Sequence, residues 1–186
     1  MNMKSSLFTF MFAGLCTASV GSAQAAGIDP GLLTKATGGD QAAQVAVGEK
    51  YDSGVDVPQD LKQAADWYRK AAEKGSVAGE VHLAELYRDG RGVARDKAQA
   101  AELYRKAAEQ GDAGAQGTLA MLYVMGQGVQ QNDAEAYYWL DLAAAVKTPR
   151  QDQYIANRQN VGTRITVEEL QAVQERVAKW KAEHPR

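Results

Sequence analysis

Side chains able to do covalent or acid–base chemistry are scarce in this chain. Beyond a leader expected to end near Ala25, there are two serines, Ser53 and Ser76, two histidines, His82 and His184, and no cysteine. Neither serine sits in a Gly-x-Ser-x-Gly turn, so an acyl-transfer nucleophile has no carrier. His82 and Glu85 are three apart on a helical stretch, without the second histidine and third ligand that a zinc site needs. Gly90-Arg91-Gly92 and Gly126-Gln127-Gly128 follow helical stretches, not strands, and lack a third glycine, so they read as turns and not as dinucleotide loops. The neighbouring acids Glu168 and Glu169 fall in a helix's first turn, where the macrodipole favours negative charge. The expectations are no catalysis, no metal and no cofactor. A formal charge of -2 leaves no electrostatic footprint for nucleic acid.

Recognition chemistry remains. Val45, Glu49 and Asp52 are spaced i, i+4, i+7, as are Val81, Glu85 and Arg88, and Gly117, Met121 and Val124. That spacing puts each trio on one strip of a helix. The strips run from acidic through mixed to apolar. They predict a protein or peptide partner with a basic group near Glu49 and Asp52 and an apolar group near Met121, where Met121 and Met125 offer adaptable contact.

These strips need helices in register, and the chain supplies them by repetition. Tyr51, Tyr87 and Tyr123 recur every 36 residues, as do Gly54, Gly90 and Gly126, and Val57, Val93 and Val129. A fixed period in this range marks units that stack on one another. The units are 39–74, 75–110 and 111–147, each predicted as helix, glycine turn, helix. Glycine ends each first helix because it takes the left-handed conformation without steric cost. Asp56 stands where Gly92 and Gly128 stand in the later units. Asp60, Asp96 and Asn132 open the second helices, with Gln63, Gln99 and Glu135 three residues on, the spacing of a capping box. Ala64, Trp67-Tyr68 and Ala71-Ala72 then trace one broad apolar face, which the later units repeat. A lone unit could not bury such a face, so stacking is required.

The flanks differ. Met1 to Ala25 has the form of a secretory signal peptide: Lys4, a short apolar run over Leu7–Cys16, and the small-x-small site Ala23-Gln24-Ala25. The run is too short for a membrane span, so no stable membrane anchor is expected and the mature protein is placed in the periplasm or outside the cell. Residues 26–38 form a lead-in, expected to be only partly ordered, in which Asp29-Pro30 could cap a short helix. Thr148-Pro149 ends the third unit. Over 148–186 two further helices are expected to cap the stack, with Tyr154, Arg158, Val161 and Ile165 on one and Leu170, Val173, Val177 and Trp180 on the other. Trp180 with Arg176, Lys179 and Lys181 could instead dock a partner. Acidic side chains outnumber basic ones over 26–146 and the balance reverses over 147–186, so the two ends could face different partners, or the difference could be ordinary scatter.

The pattern Leu83-Ala84-Glu85-Leu86-Tyr87, then Gly90-x-Gly92-Val93, Asp96, Ala100, Tyr104 and Ala107-Ala108-Glu109-x-Gly111 resembles the SEL-one-like repeat (SLR), a longer cousin of the tetratricopeptide repeat. The match extends over 39–147, and the ending Tyr137-Tyr138-Trp139-Leu140 with a late Trp180 is similar to bacterial members. The resemblance implies an all-α, right-handed α-solenoid of three helix-turn-helix repeats plus a C-terminal helix pair, with a concave face that holds proteins or peptides. It implies a non-catalytic scaffold or adaptor, or alternatively an immunity protein that neutralises a toxic effector. A cysteine-rich branch is described as hydrolysing β-lactams. This chain departs from that branch, having no cysteine after Cys16.

Overall fold

The computed structural model describes residues 27–185; the leader and cleavage site expected from the sequence lie outside them. Among the described residues there are nine helices and no strand: α1 (Pro30–Thr37), α2 (Gln41–Ser53), α3 (Leu61–Ala72), α4 (Val77–Asp89), α5 (Lys97–Glu109), α6 (Ala113–Met125), α7 (Asp133–Ala144), α8 (Gln151–Gly162) and α9 (Val167–Glu183). Helices α2 and α3, α4 and α5, and α6 and α7 form three hairpins, and each hairpin packs on the next, giving an α-solenoid. Its core is one continuous cluster in which Val47, Leu119, Ala64, Ala100 and Ala136 are wholly or almost wholly buried. The alanines let neighbouring helices approach closely, and Tyr68 and Tyr104 fill the volume between them.

Local chemistry sets the helix ends. Asp40, Ser76 and Asp112 accept from backbone N–H groups three residues on, opening α2, α4 and α6. Gly54, Gly90 and Gly126 close those helices in the left-handed region, at φ 72°, 71° and 61°. The second helices depart from expectation. Asp60 and Asp96 do cap α3 and α5, and Asn132 caps α7. Both halves of the capping box form only at Thr166 and Glu169, which open α9. The reason is a competing acceptor. The N–H of Asp60 donates to the carbonyl of Tyr51 at 2.9 Å, that of Asp96 to Tyr87 at 2.9 Å and that of Asn132 to Tyr123 at 3.1 Å. Each repeat thus closes its hairpin with the donor that Gln63, Gln99 and Glu135 were expected to satisfy. Asp60→Ala and Asp96→Ala should each lower stability by about 1 kcal/mol, whereas Gln63→Ala and Gln99→Ala should cost only a few tenths, as read from urea melts.

The lead-in is not the partly ordered segment anticipated. Asp29 caps α1 through the N–H of Leu32 at 2.8 Å, and Ala36 is fully buried. Ala36 is in register with Ala72, Ala108 and Ala144, and Gly39 (φ 96°) with Gly75 (81°) and Gly111 (90°). Helix α1 therefore stands where the second helix of a preceding unit would stand, and covers the open side of α2.

At the other end, α8 and α9 both pack on α7, so the terminal pair is held by the last repeat and not by its own hairpin. Tyr154 and Val161 of α8, and Val173 and Val177 of α9, are buried as their spacing predicts. The charge reversal along the chain has an internal cause. Arg164 forks onto Asp133 with N–O distances of 2.8 and 2.6 Å. Arg176 forks onto Glu135 at 2.6 and 3.2 Å and lies over the Tyr138 ring. Asp141 receives both Arg158 and Lys181. The basic tail is complementary to the acidic second helix of the third unit. Arg176, Lys181 and the Trp180 ring, which lies over Gly111, hold the cap on the last repeat, while Lys179 stays exposed.

Candidate functional site

The first helices α2, α4 and α6, with α8 beside them, present one face of the stack, and the candidate strips fall along it unevenly. Val45 is 8% exposed and belongs to the core, so it cannot line a surface. Gly117, in register with it, lies under Tyr154: a Cβ there would stand 2.3 Å from the ring. At this register the helix turns toward the next unit's first helix, not toward the open side. Val81, between them in register, is half-buried.

At the acidic end the side chains are already partnered. Asp52 is bound by Arg91, 2.6 Å away in the next unit's turn. Glu49 and Glu85 flank His82: Glu49 Oε1 lies 3.5 Å from Nε2, and Glu85 Oε2 lies 3.7 Å from Nδ1. The imidazole stacks on Tyr68 with centroids 4.8 Å apart. Gly48 is required beneath that tyrosine, because a Cβ there would come within 2.6 Å of its ring. Contact with Glu85, aided by the charges of Glu49 and Asp52, raises the His82 pKa despite burial. In return Glu85 is held below the ordinary carboxylate range by His82. Burial, followed by the charges of Asp52 and Glu49, pushes the Tyr68 hydroxyl well above its usual range. This end therefore offers Glu49 as its most open carboxylate, at 55% side-chain exposure.

At the other end a cavity of about 270 Å³ opens between α6 and α8. Met121, Met125 and Tyr154 supply its apolar wall, and Arg88, Arg150 and Asn157 its polar rim. Arg88 is oriented by Asp89, at 2.8 and 2.9 Å, and donates to the Tyr104 hydroxyl at 3.2 Å. Met125 is 52% exposed, unusual for a large apolar side chain. A smaller recess alongside, about 60 Å³, is lined by Met121, Val124, Asn157, Val161 and Arg164. Met121 thus lines both recesses, with Val124 beside it in the smaller and Arg88 on the rim of the larger.

Sequence reasoning missed Arg91, Tyr154, Asn157 and Arg150. Arg91 was visible only as a turn residue between glycines, and the other three lie outside the repeating pattern. Among the described residues no group of His, Cys, Asp and Glu is placed to hold a metal ion. None of the described helices is long and apolar enough to cross a membrane.

Comparison with known proteins bears on what such a face does. The Sel1 repeat family model matches residues 41–76, 77–112 and 114–145. One similar solved structure is that of a protective antigen present in uropathogenic Escherichia coli strains, displaying an SLR fold. It is 32% identical with a TM-score of 0.70, over 81% of this chain and 32% of that one. Another is a Sel1 repeat protein from Oxalobacter formigenes, 34% identical with a TM-score of 0.65, over 69% of this chain and 51% of that one. The chain thus spans about a third and about half of the lengths of these two. No curated protein matches.

Proposed function

This chain belongs to the Sel1 repeat family, whose members commonly act as protein-interaction scaffolds, and we propose that it is a non-catalytic scaffold that works outside the cytoplasm. In this reading the first-helix face is concave and holds a segment of a partner protein. One observation carries the proposal: the groove between α6 and α8, where Met125 stands open to solvent and Met121 is half-buried beside Tyr154. A large apolar side chain left half exposed at a groove floor loses hydrophobic stabilisation unless something covers it. The partner would place an apolar side chain there and a basic group toward Glu49. The secretory leader and the likeness to a protein described as a protective antigen support an exported location.

Site-specific photo-crosslinking in the cells that make the protein tests this reading. A crosslinker at Met125 should capture a partner, and one at Glu102, on the exposed side of α5, should not. Equal capture from both positions, or none from Met125, would refute the assignment of the face.

A further inference from the structure

At three of the four junctions along the stack, counting those with α1 and with the terminal pair, a glutamine side chain bonds back to the preceding helix. Gln44 Nε2 donates to the carbonyl of Ala36 at 3.1 Å, Gln116 Nε2 to that of Ala108 at 3.0 Å, and Gln151 Nε2 to that of Ala144 at 3.0 Å. In each case a helix reaches back to an alanine in the last turn of the helix before it; Gln44 and Gln116 share one register, and Gln151 lies one residue short of it. Both Gln44 and Gln116 are buried. The remaining junction joins α3 to α4. There the alanine is Ala72, and the residue in register with Gln44 and Gln116 is Glu80. Glu80 is 3% exposed. An ionised carboxylate has no proton to donate, so the Ala72 carbonyl goes without the bond that its three counterparts receive. The carboxylate itself is buried with one donor, Gln110 Nε2 at 2.8 Å.

A second titratable group spans the same junction. His82, two residues further along α4, lies between Glu49 on α2 and Glu85, stacked on Tyr68 of α3. Only as imidazolium can it donate toward both carboxylates at once.

We propose that the junction between the first and second units is tightened by proton binding: a protonated Glu80 supplies the donor that glutamine supplies at the other three junctions, and a protonated His82 ties α2 to α4 through Glu49 and Glu85.

The electrostatics agree in sign at both groups. Burial raises the Glu80 pKa above its ordinary 4.5, against the charge of Lys106 and the hydrogen bond from Gln110, the C-cap of α5, and with the help of Glu109. The carboxylates around His82, Glu85 first and then Glu49 and Asp52, raise its pKa above 6.5. A raised folded-state pKa stabilises the fold below the unfolded value, and that contribution is lost as pH rises through the folded value. For His82 the contribution is complete below about pH 6.5 and fades above. For Glu80 it grows as pH falls through its raised value toward 4.5. Both act in one direction as pH falls from neutral, and Glu85, held below the ordinary carboxylate range by His82, keeps its charge over that interval. The junction is weakest at neutral pH and above.

Amide hydrogen exchange of the full chain, corrected for intrinsic rates, tests this at pH 7.5 and 5.0. In the wild type, protection of α2 and α3 should rise several-fold on acidification while α6 and α7 change little. Glu80→Gln should be strongly protected at both pH values, since glutamine at this register is already tolerated in two units. Glu80→Gln with His82→Gln should abolish the difference. Gln116→Glu should transplant the behaviour, making protection of α6 fall at pH 7.5 and recover at pH 5.0. A pH response spread evenly over all helices, one that survives in the double variant, or a Gln116→Glu chain no more pH-sensitive than the wild type overturns the proposal.

Discussion

Gly128→Ala should lower stability by about 2–6 kcal/mol, among the largest effects available to a single methyl group here. Two costs combine. Gly128 has φ 75°, and a side chain held in that region costs about 1–3 kcal/mol. In addition, a Cβ would stand 2.0 Å from the carbonyl oxygen of Lys97 and 2.4 Å from its carbonyl carbon, and relieving such a clash in a packed junction costs about 1–3 kcal/mol more. Gly92 has the same fault in prospect, with φ 69° and a Cβ only 2.3 Å from the Leu61 carbonyl oxygen. In both cases the glycine turn of one unit rests on the start of the preceding unit's second helix. In the first unit the position is filled by Asp56, at φ 68° and ion-paired with Lys50, and Gly27 of the lead-in lies against its carbonyl. Asp56→Gly should therefore stay within about 1 kcal/mol of the wild type, as strain relief and the lost pair offset each other. Urea melts of the three variants check this. A Gly128→Ala chain as stable as Asp56→Gly would show that the close approach does not exist in solution.

Tyr154→Ala should cost about 3–4 kcal/mol and loosen the end of the stack selectively. Tyr154 is 6% exposed and lies flat on Gly117. Truncation leaves a cavity under α8 that can collapse only if the helix moves. It also removes one wall of the groove that holds Met121. Limited proteolysis should then cut in α8 and α9 while α2 to α5 stay protected, because each unit of a solenoid depends only on its neighbours. Loss of protection throughout would mean that the stack unfolds as one cooperative body.

These two effects also separate what the chain spells out locally from what it leaves to packing. The three hairpins, their glycine C-caps and their Asp, Ser and Asn N-caps were legible because each is a contact between residues a few positions apart, and a period repeats the signal. The core alanines and tyrosines were legible for the same reason. The capping boxes at Gln63, Gln99 and Glu135 misled, because a carbonyl nine residues upstream takes the donor first. The face of the first helices was read to within one register: Glu49, Glu85, Met121 and Val124 lie on it, and Val45 does not. Successive residues turn about 100° around a helix, so a strip chosen from spacing can be rotated into the neighbouring unit with no sign of it in the pattern.

By itself the sequence determined a stack of three identical hairpins with few reactive groups, since helix ends and apolar faces are set by near neighbours. Tertiary structure alone decided which charges remain open, that the basic tail is consumed by Asp133, Glu135 and Asp141, that the lead-in completes the stack, and that Glu80 breaks a glutamine ladder. Those outcomes depend on partners about 30 to 40 residues away. Only packing brings such residues together, because nothing in the local backbone conformation couples them.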